Sequence, residues 1–171
     1  MIIIPRYNIG IDSEILRIQK ILDNLDYDNI FIYGRLNKTI SAKGDDILET
    51  YTQNGEYKDV FINDIIGGSV GFYVINREFE QNWKATTDII FTIDLEKASD
   101  KVGRYDEVLL REAINLLQEN GIKVNSIKNG VDDVFSDFTT EVYKHRDMHP
   151  FFVFSINIDI YYDNQNCITN L

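Results

Sequence analysis

Phe151-Phe152-Val153-Phe154-Ser155-Ile156-Asn157-Ile158-Asp159-Ile160-Tyr161-Tyr162 is the stretch that decides the fold. Side chains alternate across an extended strand with period two. Phe152, Phe154, Ile156, Ile158, Ile160 and Tyr162 therefore share one face. Phe151, Val153, Ser155, Asn157, Asp159 and Tyr161 share the other, which turns polar half-way along. This is the pattern of a long strand with one dry face and one progressively wet face. Such a strand seals a sheet, and the residues before it must supply the other strands and the cover.

Upstream, Asp12 and Ser13 are good N-cap residues, and Ile15, Leu16, Ile18, Ile21, Leu22 and Leu25 recur at helical spacing. A helix is expected over 13–25, ending in the turn-rich 26–29. A short strand follows at 30–33; Gly34 breaks it, and 36–41 returns as its partner. The polar segment 43–58, with Gly44, Asp45, Asp46, Asn54 and Gly55, reads as a loop with a candidate helical turn at 46–51. A brief strand at 60–62 and the punctuating Gly67-Gly68 lead to a strand at 70–77. Trp83 and Lys84 read as a turn or bulge before the strand 86–95, so the two strands form an antiparallel hairpin with a long loop. Tyr105 or Asp106 opens a second helix with Val108, Leu109, Ala113, Leu116 and Leu117 as its buried stripe, and Gly121 stops it at C′. A short strand at 122–127 and a turn at Asn129-Gly130 follow. Val134, Phe135 and Phe138 anchor a segment of no clear type. The residue before a proline is biased to extended backbone, so His149-Pro150 launches the last strand. The expected fold is α+β: a mostly antiparallel sheet with two main helices packed on one face, closed by a long C-terminal strand. No repeat or linker divides residues 1–171, which read as one domain with 43–66 as an insertion or interaction arm.

The chain has 171 residues and a net charge of −11. That balance opposes nonspecific gripping of a nucleic-acid backbone, which needs clustered Lys and Arg. It suits a conduit, because an acidic wall repels phosphate. The lone Cys167 excludes an intramolecular disulfide and fits a reducing compartment, as an incidental thiol. The start, residues 1–7, is short for a signal peptide, and no run reaches membrane-spanning length.

Chemistry is sparse. The stretch Ile93-Asp94-Leu95-Glu96 to Val102 resembles motif A of reverse transcriptases and related polymerases, where a strand-end Asp holds a metal. Tyr161-Tyr162-Asp163-Asn164 then resembles a degraded motif C, with Asn164 where the second Asp belongs. Two-metal phosphoryl transfer needs such carboxylates on adjacent strands. The competing reading makes Asp94 and Glu96 wet strand-end residues, with Asp100 and Lys101 in the connection to the next helix. His145 and His149 are four apart, but Pro150 disfavours a helical His149 and no third ligand is near in sequence. Gly67-Gly68-Ser69-Val70-Gly71 lacks the Gly-Lys-Ser ending of a P-loop and reads as a mobile turn or inter-subunit loop. Asp132, Asp133, Asp137 and Glu141 lack EF-hand spacing and read as a solvated face. Hence no catalytic residue, metal or cofactor is expected.

The order of elements is similar to that of the tail-terminator and tail-completion family of bacteriophage neck proteins. The matching pieces are 13–25, 30–41, 70–77 with 86–95, 105–120 and 151–162; the departure is 43–66. The resemblance implies a non-enzymatic structural virion protein, made in the host bacterial cytoplasm. It would be a homo-oligomeric ring at the head–tail junction, touching other neck, portal or tail proteins. DNA would pass as cargo, with no membrane involved. A closed ring needs two different patches that fit each other. The expected patches are the hairpin tip near 76–84, with Phe79 and Trp83, and the loop 43–58, with Tyr51 and Tyr57. The plainer expectation for Trp83 is packing onto its own domain. Two other readings stand beside this: a metal-dependent nucleotidyl-transfer enzyme using Asp94 and Asp163, and a peptide- or ligand-binding module using a sheet edge or the sheet–helix cleft.

Overall fold

The chain forms seven strands, seen in a computed structural model that describes residues 1–4, 9–40, 44, 46–51, 57–59, 67–100, 105–136 and 148–162. They are β1 (Ile30–Ile40), β2 (Asp46–Tyr51), β3 (Tyr57–Asp59), β4 (Gly68–Phe79), β5 (Trp83–Asp94), β6 (Val124–Asn129) and β7 (Phe151–Tyr162). One sheet holds them in the order β3-β2-β1-β4-β5-β7-β6. Every neighbouring pair is antiparallel except β1 and β4, which run parallel. The helices are α1 (Ile11–Leu22), α2 (Leu95–Ala98), α3 (Asp106–Glu119) and α4 (Val131–Val134). The fold is α+β, as the alternation and helical spacing imply.

The last strand lies inside the sheet, between β5 and β6. It pairs with β5 along its whole length, from Phe151 opposite Asp94 to Tyr162 opposite Trp83. Its dry face packs under α1 and α3. Phe154, Ile156 and Ile158 are buried there with Ile15, Ile18 and Leu22 of α1, Leu109, Ala113 and Leu117 of α3, and Phe72 and Phe91. Phe91 and Phe154 stack at 4.3 Å between centroids. Burying each such side chain contributes about 1.5–3 kcal/mol, so this layer dominates stability. Val108 was expected in the α3 stripe but is 40% exposed. It sits one residue, or 100° of helix, outside the Leu109–Ala113–Leu117 row. The other face carries a smaller core of Tyr33, Leu36, Leu48, Ile90 and Val153 under Val131, Val134 and Phe135 of the α4 turn.

Helix α1 begins earlier than expected, after Gly10, whose φ of 59° lets the chain turn into the helix. Asp12 and Ser13 thus lie in the first turn rather than at the cap, and the Ser13 hydroxyl donates to the Gly10 carbonyl at 2.7 Å. It also ends earlier, at Leu22, because the Asn24 side chain donates to the Lys20 and Ile21 carbonyls and so replaces the next turn's amides.

Gly34 does not break β1. It sits in a bulge, since Ile32 pairs with Val70 but Arg35 pairs with Phe72. One extra residue in β1 inverts the alternation. Ile32 belongs to the helix-side core, whereas Leu36, an even number of residues on, belongs to the opposite one with Tyr33. Leu36 lies where a Cβ on Gly71 would stand, 2.6 Å from its Cδ2, so glycine there makes the room.

The segment expected as a loop supplies β2 and β3. Among its described side chains Leu48 and Thr50 are buried, one apolar and one polar, so the sequence shows no period-two apolar pattern there. The expected strand at 60–62 lies outside the described residues. The expected long loop of the central hairpin is only residues 80–82, because β4 runs on to Phe79 and β5 starts at Trp83. Cross-strand pairs such as Glu78 with Lys84 carry the ladder through polar sequence. Gly121 has the left-handed φ of 76° expected after a helix. β6 starts two residues later than expected, while Ile122 is buried in the helix-side core. The turn before β7 contains a cis His149–Pro150 bond, and the Phe151 amide donates to the Met148 carbonyl at 2.9 Å.

Candidate assembly surface

β4 and β5 are each 12 residues long, and their far ends carry the hairpin tip. On the helix side of that tip three aromatic rings cross three strands. Phe79 and Trp83 form a register pair with ring centroids 4.9 Å apart. Trp83 and Tyr162 form the next pair, stacked at 6.2 Å. Phe79 is 62% exposed, Trp83 and Tyr162 are half-buried, and Tyr162 also touches the helix-side core. The row therefore continues the dry face beyond the buried core. Offset and stacked rings of this kind gain about 0.5–1.5 kcal/mol per pair, which holds the row in place. Phe79 and Trp83 were the residues expected at the tip. Tyr162 was read only as the end of a dry face, and the register of β7 brings it in.

The reverse side of the tip is charged. Glu78, Glu80, Gln81, Asn82, Lys84 and Tyr161 line a shallow surface depression. The Lys84 ammonium lies 3.3 Å from an Asp159 carboxylate oxygen, and Thr86 Oγ1 donates to the other Asp159 oxygen at 3.1 Å. The hydrogen bond to Asp159 raises the Lys84 pKa.

A second feature is a fork in the sheet. β1 and β4 pair only as far as Leu36 opposite Tyr73. Beyond that, β1 continues with β2 to Ile40, and β4 continues with β5 to Phe79. Between the two arms opens a depression lined by Arg35–Lys38 and Tyr73–Arg77. Arg35 lies 3.4 Å from the Asp12 carboxylate, at the start of α1. Tyr51 and Tyr57 oppose each other in the β2–β3 ladder, on the other arm from Phe79 and Trp83. The side chains of Tyr51 and Tyr57 lie outside what the structure describes.

Asp94 is buried at the end of β5 and caps α2: its carboxylate accepts from the Lys97 amide at 3.4 Å and lies 3.1 Å from the Lys97 ammonium. Phe151 is its partner across the ladder, while Tyr162 stands opposite Trp83 at the far end. At about 3.3 Å per residue those ends are roughly 36 Å apart. Asp163 and Asn164 lie outside the described residues. Glu96 and Asp100 are exposed, and Lys101 is outside the described residues. His149 is exposed in the turn before β7; His145, Asp137, Glu141 and Cys167 fall outside the described residues. Asp132 and Asp133 occupy the first turn of α4 and face outward. Among the described residues, no three His, Cys, Asp or Glu side chains cluster to hold a metal ion.

Gly67–Gly71 is neither a mobile turn nor an anion cradle. Its residues are buried at the start of β4. The Gly67 amide donates to the Asn29 carbonyl at 3.0 Å, and its carbonyl accepts from the Asp94 amide at 2.8 Å. A Cβ on Gly68 would fall 2.5 Å from Ile93 Cδ1, so these glycines permit close packing. Asp88, 3% exposed in the middle of β5, is a buried charge that composition did not single out. Asn157 Nδ2 donates to it at 2.6 Å and the Lys128 ammonium lies 3.5 Å away. These partners offset the cost of burying the carboxylate. The available signal was an aspartate on the wet face of an otherwise apolar strand.

No family model matches the chain, and no curated protein or solved structure does either. No helix among the described residues is long and apolar enough to cross a membrane.

Proposed function

We propose that this protein is a structural subunit that closes into a homo-oligomeric ring at a phage head–tail junction, in the manner of a tail terminator. The observation that carries the reading is the aromatic row Phe79–Trp83–Tyr162 at the tip of the β4–β5 hairpin. Aromatic side chains at a protruding, partly exposed position are the usual anchors of protein interfaces. An isolated monomer gains little from holding Phe79 in water. The resemblance in element order agrees with this use of the hairpin. The net charge of −11 suits a lumen through which DNA slides without being gripped. On this reading the chain performs no catalysis and its partners are other neck, portal or tail proteins.

The test is native mass spectrometry with electron-microscopic class averages of the purified protein, alone and with neighbouring virion proteins. Closed rings of one stoichiometry are expected. A monomer under every one of these conditions defeats the reading.

A further inference from the structure

We infer that Lys128 and Asn157 become joined by an intramolecular amide bond, formed with Asp88 as the acid–base group. The inference stands apart from the ring-subunit reading and uses side chains that reading leaves idle. Three neighbouring strands supply the parts: Asp88 on β5, Asn157 on β7 and Lys128 on β6. Asp88 and Asn157 are direct register partners. Lys128 stands opposite Ser155, two residues from Asn157, so its long side chain starts from the diagonal position on the same face. One carboxylate then holds both reactants. Asn157 Nδ2 donates to Asp88 Oδ1 at 2.6 Å, and Lys128 Nζ lies 3.5 Å from Asp88 Oδ2. The two oxygens belong to one carboxyl group, so amine and amide are held side by side. Such placement turns a slow bimolecular reaction into an intramolecular one.

The chemistry balances without a co-reactant. Asp88 takes a proton from the Lys128 ammonium and frees the lone pair on Nζ. Nζ attacks Cγ of Asn157, and the Cγ–Nζ bond forms. Negative charge gathers on Asn157 Oδ1, which already accepts from Asn125 Nδ2 at 3.3 Å, a donor placed to stabilise it. Nζ gives up two protons in all, and Asp88 relays both to Asn157 Nδ2. The Cγ–Nδ2 bond breaks, the nitrogen leaves as ammonium, and Asp88 ends as the carboxylate it began as. Asp88 is 3% exposed and Ser155, opposite Lys128, is 1% exposed, so water is held back from the carboxylate. The product has a structural use. β6 is the edge of the sheet and β7 is its one strand neighbour among the described residues. The bond ties that edge covalently to the interior strand, and it restricts the unfolded chain between the two residues as any cross-link does.

Mass spectrometry of the full chain under denaturing conditions tests this. Wild type should weigh about 17 Da less than its sequence requires, the mass of one ammonia. Proteolysis should release a branched peptide that joins the segment of Lys128 to the segment of Asn157, read by tandem mass spectrometry. Lys128→Arg keeps a cation beside Asp88 but removes the amine, and should restore the full mass. Asp88→Asn and Asn157→Ala should do the same. A wild-type chain that keeps its full mass after prolonged incubation overturns the inference. So does a deficit that persists in Lys128→Arg, because Asn129 precedes Gly130 and an asparagine in that setting can lose ammonia by cyclising alone. The branched peptide is sought in wild type itself, so its absence overturns the inference whether or not the variants fold.

Discussion

Gln19 is the buried polar residue with the most local consequence. It is fully buried in α1, and its Nε2 donates to the Ile3 carbonyl at 3.1 Å and the Ile32 carbonyl at 3.0 Å. It therefore stitches the N-terminal segment and β1 to the helix above them. Gln19→Leu takes that donor from the part-buried Ile3 carbonyl and from the buried Ile32 carbonyl. A loss of about 1–3 kcal/mol is expected from chemical denaturation, against little change for an exposed control such as Lys20→Gln. Asp12 adds a pH effect. Burial raises its pKa above the ordinary 3.8, against the pull of Arg35 and Arg77. Between 3.8 and the raised value the folded chain holds this proton more tightly than the unfolded chain. Its contribution to stability is thus greatest at low pH and declines as pH rises through that window. Asp12→Asn cannot titrate. Denaturation midpoints from pH 3 upward should show wild type losing stability relative to Asp12→Asn; a relative gain would contradict the burial argument.

At the scale of elements, the pairing of β1 with β4 depends on one complementary fit. The Leu36 side chain occupies the space that a Cβ on Gly71 would take. Gly71→Ala should therefore cost about 1–3 kcal/mol through overpacking, and the same change in a Leu36→Ala background should cost much less. Additive losses would show that the two positions do not share space. This fit was not legible in the sequence. A glycine in a strand signals a bulge or a close approach, but not which side chain approaches, since Leu36 and Gly71 are far apart in the chain. The same limit explains Gly34, which was read as a break. It lies in a bulge because β4 on one side and β2 on the other keep β1 extended past it. The polar stretch at the hairpin tip was read as a loop for a related reason. Its strands are held by their cross-strand ladder, not by an apolar alternation of their own.

For the whole molecule, the sheet is well covered near its middle and divides toward one end. One arm carries the β2–β3 ladder, the other the aromatic tip. Phe79→Ser tests the tip without touching the core, since Phe79 is exposed. Its melting temperature should fall by no more than about a few degrees, from loss of the Phe79–Trp83 contact. Self-association, read by sedimentation or native mass spectrometry, should weaken by roughly tenfold or more if Phe79 is an interface anchor. Unchanged association would move the contact elsewhere on the surface.

Local pattern determined much of this protein. Period-two alternation marked β7 and β5, and helical spacing marked α1 and α3, the second with a terminal glycine. The α+β class follows from those elements, because each reads out on its own face within a few residues. Tertiary structure decided the rest: the interior position of β7, the parallel β1–β4 pair, the fork beyond it and the meeting of Phe79, Trp83 and Tyr162. It also set Asp94 and Tyr162 at opposite ends of the β5–β7 ladder. Strand order and register are set by pairing between distant segments, and packing on both faces of the sheet selects them. No short window of residues carries that information.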